Sequence, residues 1–270
     1  MIYLYTILLG IIQGLTEFLP VSSSGHLVLL HEIFDLSQIN ELTFDVILHT
    51  GTLVALLIFF YKDIINYFRA FLNSLLKWNV KNDFQQKMAW FLFISMIPAG
   101  IIGYFLENII ENTFRSALSV AIVLIIVSFL FFLVEKYSKK IKDFTSLNWL
   151  KVIILGLAQA IALIPGVSRS GITIITGMTF NLKRELAAKF SFLMSIPIIF
   201  IASLKKIYDL LQIGLATEQL LIYFIGFFIS AITGYFCIKY FLLFLKKYSL
   251  NYFAVYRIII GIIILLLIYI

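Results

Sequence analysis

The stretch Gln13-Gly-Leu-Thr-Glu17-Phe-Leu-Pro20-Val-Ser22-Ser23-Ser24-Gly25-His26 decides how this chain reads. It packs a carboxylate, three consecutive hydroxyls, a glycine and a histidine into one short segment. The chain around it is 62% hydrophobic and only 13% charged over 270 residues, against about 25% charged in soluble domains. Too little polar surface exists to cover a soluble fold of that composition. Several segments approach the roughly 20 apolar residues that cross a bilayer. They lack the alternation of a membrane barrel, so the chain reads as an all-α polytopic membrane protein. Polar groups crowded together in such a chain are costly and mark function.

Outward from this stretch, residues 1–19 are apolar but interrupted, and Pro20 stops them. His26 to Phe34 gives only two or three helical turns. Neither piece spans alone, which is the pattern of a re-entrant pair. Spans are expected at Phe44–Tyr61, at Met88–Phe105 (broken by Pro98 and Gly100) and at Leu118–Val134. A basic aromatic loop is expected from Lys62 to Lys87. The second half repeats the plan: Val152–Ile164, a break at Pro165-Gly-Val-Ser168-Arg169-Ser170-Gly171, a short return at Ile172–Phe180, then spans near 190–204, 220–238 and 253–270. At an offset of 146, Gly10, Gln13, Val21, Ser22, Ser24 and Gly25 recur as Gly156, Gln159, Val167, Ser168, Ser170 and Gly171. The chain is therefore expected to be one integral membrane domain, 1–270, with halves of about 1–140 and 145–270. Each half carries a re-entrant pair and three transmembrane helices. An odd number of spans per half inverts the second relative to the first.

Sixteen of the twenty-one Lys and Arg fall in the loops at 62–87, 136–151, 183–189 and 239–247. The opposite loops hold Arg115, Lys205 and Lys206 among Glu107, Glu111, Asp209 and Glu218. The positive-inside rule makes the basic loops cytoplasmic and both termini external. It also assigns the net charge of +7 to topology, with no nucleic-acid partner implied. Met-Ile-Tyr at the start lacks the basic region of a removable signal peptide. The single Cys237 reads as a packing residue.

At the first break, Ser22, Ser23, Ser24 and Gly25 open a helix whose free N–H groups suit an anion such as phosphate. Ser168, Ser170 and Gly171 do the same at the second, and Arg169 adds a planar cationic fork. The alternative for Arg169 is an ion pair with Glu17 that locks the halves. Glu17 stands one turn after Gln13 and can hold a divalent cation or act as a general base. His26 can relay a proton to a nearby serine. His31 reads as a surface residue; for His49, lining a cavity and simple packing both stay open.

These residues resemble the bacterial undecaprenyl-diphosphatase family, also called bacitracin-resistance proteins. The family's first signature corresponds to Gln13–His26 and its second to Pro165–Gly171, with the Pro197 and Tyr256-Arg257 regions agreeing. The resemblance implies hydrolysis of undecaprenyl diphosphate to undecaprenyl phosphate and inorganic phosphate. That reaction recycles the lipid carrier of peptidoglycan synthesis and confers bacitracin resistance. It further implies a multi-pass protein of the bacterial cytoplasmic membrane, an outward-facing site, and help from magnesium or calcium. By position, Glu17, Ser23 and His26 become catalytic, with Ser23 the nucleophile and Glu17 a metal ligand or base. Arg169 holds the polyprenyl diphosphate, with Gln13 and the two serine–glycine turns beside it. Gln13 stands where a second carboxylate is common. A homodimer is compatible with the sequence. The rival readings are a lipid-phosphate transporter or flippase on the same inverted-repeat fold, and a non-catalytic scaffold.

Overall fold

A computed structural model describes residues 2–33, 41–114, 116–213 and 217–269. Arg115 and the side chains of His31, Glu107, Glu111, Lys206, Asp209 and Glu218 lie outside the described residues. Among those described the chain is helical, without strands. The helices are α1 (Ile2–Thr16), α2 (Ser23–Ile33), α3 (Glu41–Phe59), α4 (Tyr61–Leu76), α5 (Phe84–Phe114) and α6 (Ala117–Tyr137), then α7 (Trp149–Ile161), α8 (Arg169–Thr179), α9 (Arg184–Ile213), α10 (Thr217–Leu245) and α11 (Asn251–Tyr269).

Five of these, α5, α6, α9, α10 and α11, are long and apolar enough to cross a membrane. Counting α3 with α4, from which it bends by 79°, brings the number to six. The 15 residues of α1 rise about 22 Å, short of a hydrocarbon core of about 30 Å. α1 and α7 are thus the short arms that precede the two breaks, as the interrupted sequence implies.

Two expectations need correcting. Much of the supposed loop at 62–87 is helix α4. Ile65, Phe68, Leu72 and Leu75 form an exposed apolar stripe on it, while Lys62, Asn66, Arg69 and Asn73 share another face. That division suits a helix lying along a membrane surface. Pro98 also fails to break its span: α5 runs through it for 31 residues. Transmembrane helices tolerate proline in this way, and α7 packs closely here, with Gly156 against Ser95 and Pro98.

The packing pairs helices in matching ways across the halves. α1 lies on α10 as α7 lies on α5, and α1 meets α2 as α7 meets α8. α3 against α9 and α6 against α11 join one half to the other. Small residues allow the close approaches, because in lipid contact depends on packing more than on hydrophobic burial. A Cβ on Gly10 would stand 2.9 Å from Ile229 of α10, and one on Gly156 would meet Pro98 of α5 at the same distance. At one end of the bundle Glu135, buried on α6, takes Arg184 of α9 (Nε to Oε1, 2.9 Å), Lys140 and the Leu250 amide. This knot ties α6, α9 and the α10–α11 connection together.

Candidate active site

The two breaks share an uncommon backbone. Ser22 and Ser168 both sit at φ 73°, a left-handed conformation unusual for a non-glycine residue. Such residues store about 1–3 kcal/mol of strain and concentrate at functional sites. Each serine then caps its helix. Ser22 Oγ accepts from the Gly25 amide at 3.4 Å and Ser168 Oγ from Gly171 at 3.1 Å. Each also lies 3.3 Å from the hydroxyl two residues on, Ser24 or Ser170. The glycines are packed tightly, since a Cβ on Gly171 would meet the Phe131 ring at 2.8 Å. Ser170 Oγ donates across the site to Leu19 O at 3.1 Å, which joins one turn to the other.

Glu17 occupies the space between the turns. It follows the last residue of α1, and its carboxylate is buried. Arg169 Nη2 donates to Oε1 at 2.6 Å; Ser23 Oγ donates to Oε2 at 2.9 Å and Gln13 Nε2 at 3.0 Å. His49 Nε2 of α3 stands 3.4 Å from the same oxygen. Because His49 Nδ1 faces the Asp45 carbonyl at 2.8 Å, Nδ1 carries a hydrogen and Nε2 is turned to the carboxylate. Gln13 Oε1 and Arg169 Nη1 are buried beside this cluster without a hydrogen-bond partner. Unsatisfied buried groups are rare in folded proteins and call for a ligand or water.

The structure thus brings Glu17, Ser23, Gln13 and Arg169 into direct contact, including the Glu17–Arg169 ion pair. It places Ser22, Ser24, Gly25, Ser168, Ser170 and Gly171 in the two flanking turns. His26 is arranged otherwise. Both its ring nitrogens are engaged away from Ser23: Nδ1 with Ser22 O and Nε2 with the Tyr256 hydroxyl, each at 2.8 Å. The histidine at the carboxylate is His49. A lone histidine in an apolar span is the signal for it, but its approach to Glu17 depends on how α3 packs.

Arg257 of α11 is fully buried. Its Nη1 donates to Pro20 O (3.3 Å), its Nη2 to Gly166 O (2.9 Å) and its Nε to Ser128 Oγ (3.3 Å). Its guanidinium also stacks 5.3 Å from the centre of Phe131, the ring under Gly171. Pro20 and Gly166 are equivalent positions at the 146-residue offset, so one side chain grips both turns. Cys237 is buried, with its thiol against Leu15 O, as a packing residue would be.

Among the described residues no three His, Cys, Asp or Glu side chains gather as a metal site. Beside the Glu17 carboxylate, Gln13 Oε1 is a buried acceptor without a partner. Magnesium commonly takes one or two protein oxygens and fills its shell with substrate phosphates and water. This donor set fits a cation held jointly with a phosphorylated substrate.

Fold and site together define a multi-pass helical membrane protein with a buried Glu17–Arg169 ion pair at its centre, flanked by one serine turn from each half of the chain. A family model described as bacitracin resistance protein BacA matches residues 6–263, and the chain belongs to that family. It is 44% identical over 255 residues to an undecaprenyl-diphosphatase of Rubrobacter xylanophilus, covering 94% of each chain. A protein of the same description from Thermodesulfovibrio yellowstonii is 45% identical over 262 residues, covering 97% of this chain and 95% of the relative. One from Thermomicrobium roseum is 39% identical over 267 residues, covering 96% of each.

Proposed function

We propose that the protein hydrolyses undecaprenyl diphosphate to undecaprenyl phosphate and inorganic phosphate in the bacterial cytoplasmic membrane. The observation that carries this is the Ser23–Glu17–Arg169 chain of contacts between two helix-opening turns, in a protein whose relatives bear that enzyme's name. Phosphoryl transfer depends mainly on positioning and charge neutralisation, which this cluster can supply.

Ser23 Oγ already donates to Glu17, the arrangement of a nucleophile and its base. In our reading, Ser23 attacks the terminal phosphorus. Its proton passes to Glu17, and the bridging P–O bond breaks to release undecaprenyl phosphate. Water then attacks the phosphoserine phosphorus, the P–Oγ bond breaks, and Glu17 returns its proton to Ser23 Oγ, yielding inorganic phosphate that carries the water's oxygen and protons, free Ser23 and the Glu17 carboxylate. Protonation cancels the Glu17 charge, so Arg169 loses its counter-ion at the moment negative charge on the phosphoryl group needs one. Its unpartnered Nη1 is available to phosphate from the start. Where Glu17 is a metal ligand instead of the base, it and Gln13 would hold a magnesium or calcium ion with the diphosphate, and the ion would supply the charge neutralisation.

The basic loops are taken as cytoplasmic, with the halves inverted about the midplane and the site opening outward. A lipid-phosphate transporter needs the arginine and the turn amides but gains nothing from a hydroxyl bonded to a carboxylate. That contact favours the phosphatase.

The test is phosphate release from a prenyl diphosphate by the purified protein in detergent, with Glu17→Ala and Arg169→Ala alongside. Both variants are expected to be nearly inactive. Full activity in either overturns the site.

A further inference from the structure

The phosphoryl-transfer steps leave His26 and Tyr256 without a part, yet the two are joined at 2.8 Å with their rings within 3° of parallel. His26 Nδ1 stands 2.8 Å from Ser22 O, which can only accept, so Nδ1 carries a hydrogen. On the neutral ring the Tyr256 hydroxyl then donates to the bare Nε2. The His26 amide donates to the same Ser22 carbonyl at 3.2 Å. Ser22 O is thus fastened twice by one residue, and that residue is fastened by Tyr256. Tyr256 itself has a fixed footing, because its neighbour Arg257 is fully buried and holds Pro20 O. Adjacent residues of α11 therefore secure the carbonyls on either side of Val21, one directly and one through the His26 ring.

The second turn does without this brace. Position 172 corresponds to 26 at the 146-residue offset and is an isoleucine. Its amide donates to Ser168 O at 2.9 Å, and its side chain has no donor to add. Packing serves there instead: α8 is buried without a gap from Ser170 to Ile175, and a Cβ on Gly171 would meet the Phe131 ring at 2.8 Å. α2 opens with Ser23 half-buried and Ser24 exposed. The less enclosed turn is the one that carries Ser23, whose Oγ has to keep its 2.9 Å contact with Glu17. Ser22, directly before it, is in a left-handed conformation that persists only where the surroundings impose it.

We infer that Tyr256 is a positioning residue for the nucleophilic turn: through the His26 ring it holds the Ser22 carbonyl, and with it the direction of Ser23 Oγ. The inference rests on the phosphatase reading and adds what keeps the nucleophile aimed. The pair moves no proton in this role. A turn without the brace still binds a diphosphate through Arg169 and the second turn, but presents Ser23 less often in line with the phosphorus. That lowers kcat and leaves KM nearly unchanged.

The experiment measures kcat and KM for phosphate release from a prenyl diphosphate by Tyr256→Phe, which keeps the ring and removes only the hydroxyl. kcat is expected to fall about tenfold, the order of one lost hydrogen bond, with KM within about twofold of wild type. Tyr252→Phe, exposed one turn earlier on α11, is the control and should match wild type. His26→Asn puts an amide donor near the place of Nδ1. Adding Tyr256→Phe to it should change nothing further, because the hydroxyl acts only through the ring. Amide hydrogen exchange at residues 22–25 should be faster in Tyr256→Phe than in Tyr252→Phe. A Tyr256→Phe kcat within about twofold of wild type overturns the assignment, as does a loss carried by KM, which makes Tyr256 a substrate contact. A further loss in the His26→Asn background also refutes it; where that background releases too little phosphate to measure, the comparison is read on the exchange rates. A wild type that releases no phosphate from any prenyl diphosphate refutes the phosphatase instead, and the exchange arm still decides whether Tyr256 holds the turn.

Discussion

Gly14→Ala tests whether helix packing sets the geometry of the site. Gly14 stands on α1 next to Gln13 and one turn before the carboxylate. A Cβ there would lie 2.6 Å from the Thr233 Cβ, 2.9 Å from the Gly234 amide nitrogen and 2.9 Å from Ser230 O, all on α10. None of these is the far end of a flexible side chain. Ordinary contact begins at 3.4 Å, so α1 has to retreat by the missing 0.8 Å. Glu17 shifts with it relative to an arginine at 2.6 Å and a serine at 2.9 Å that are held by α8 and α2. Displacements of about 1 Å in a catalytic constellation cost on the order of 10²-fold in rate, equivalent to about 2.7 kcal/mol of barrier. Overpacking costs about 1–3 kcal/mol of stability, partly offset by the better helix propensity of alanine, about 0.5–1 kcal/mol. The variant should therefore fold yet turn over slowly. The assay is kcat for phosphate release, with the unfolding midpoint measured on the same sample. Gly100→Ala, where a Cβ would meet nothing within 4 Å, is the matched control and should keep full activity. A folded Gly14→Ala within twofold of wild type refutes the claim that α1–α10 contact positions Glu17.

Three further outcomes are expected. His49→Ala removes one of four neighbours of the Glu17 carboxylate, and should lower kcat about tenfold, about 1.4 kcal/mol, without a large shift in melting; unchanged kinetics would make His49 a packing residue. Glu135→Ala strips Lys140 and Arg184 of their shared carboxylate and should destabilise the protein by about 3–5 kcal/mol, seen by thermal unfolding in detergent. Its kcat well below the transition should remain near that of wild type, because the knot is separate from the site. Chelation by EDTA should depress phosphate release, with recovery on adding magnesium or calcium; full activity in excess chelator removes the metal from the mechanism.

Much of this architecture is legible because a membrane chain conceals little. Composition gives the class, and the polar turns stand out against hydrocarbon. The sequence of Ser22 to Gly25 recurs at Ser168 to Gly171, and Ser22 and Ser168 share a φ of 73°. The errors have physical causes as well. The stretch after Tyr61 carries a charged or amide residue on nearly every turn, which lowers its mean hydropathy and disguises α4 as a loop. Pro98 marks a break only if no neighbouring helix supports the backbone, and sequence does not reveal neighbours. His26, adjacent to the serines along the chain, draws the eye as their partner. Its ring turns to Tyr256, some 230 residues on, while His49 arrives from another helix. Proximity along a chain predicts a turn well and a side-chain constellation poorly.

Arg257 bears on what the molecule can do mechanically. One guanidinium, sealed from water, holds the carbonyls that lead into both turns. If one half rocked against the other far enough to open a passage, the arginine would have to release Pro20 or Gly166. A buried cation stripped of a partner costs several kcal/mol. The two arms are therefore riveted at their common point. Such a rivet suits a stationary workbench for a lipid head group better than a revolving door.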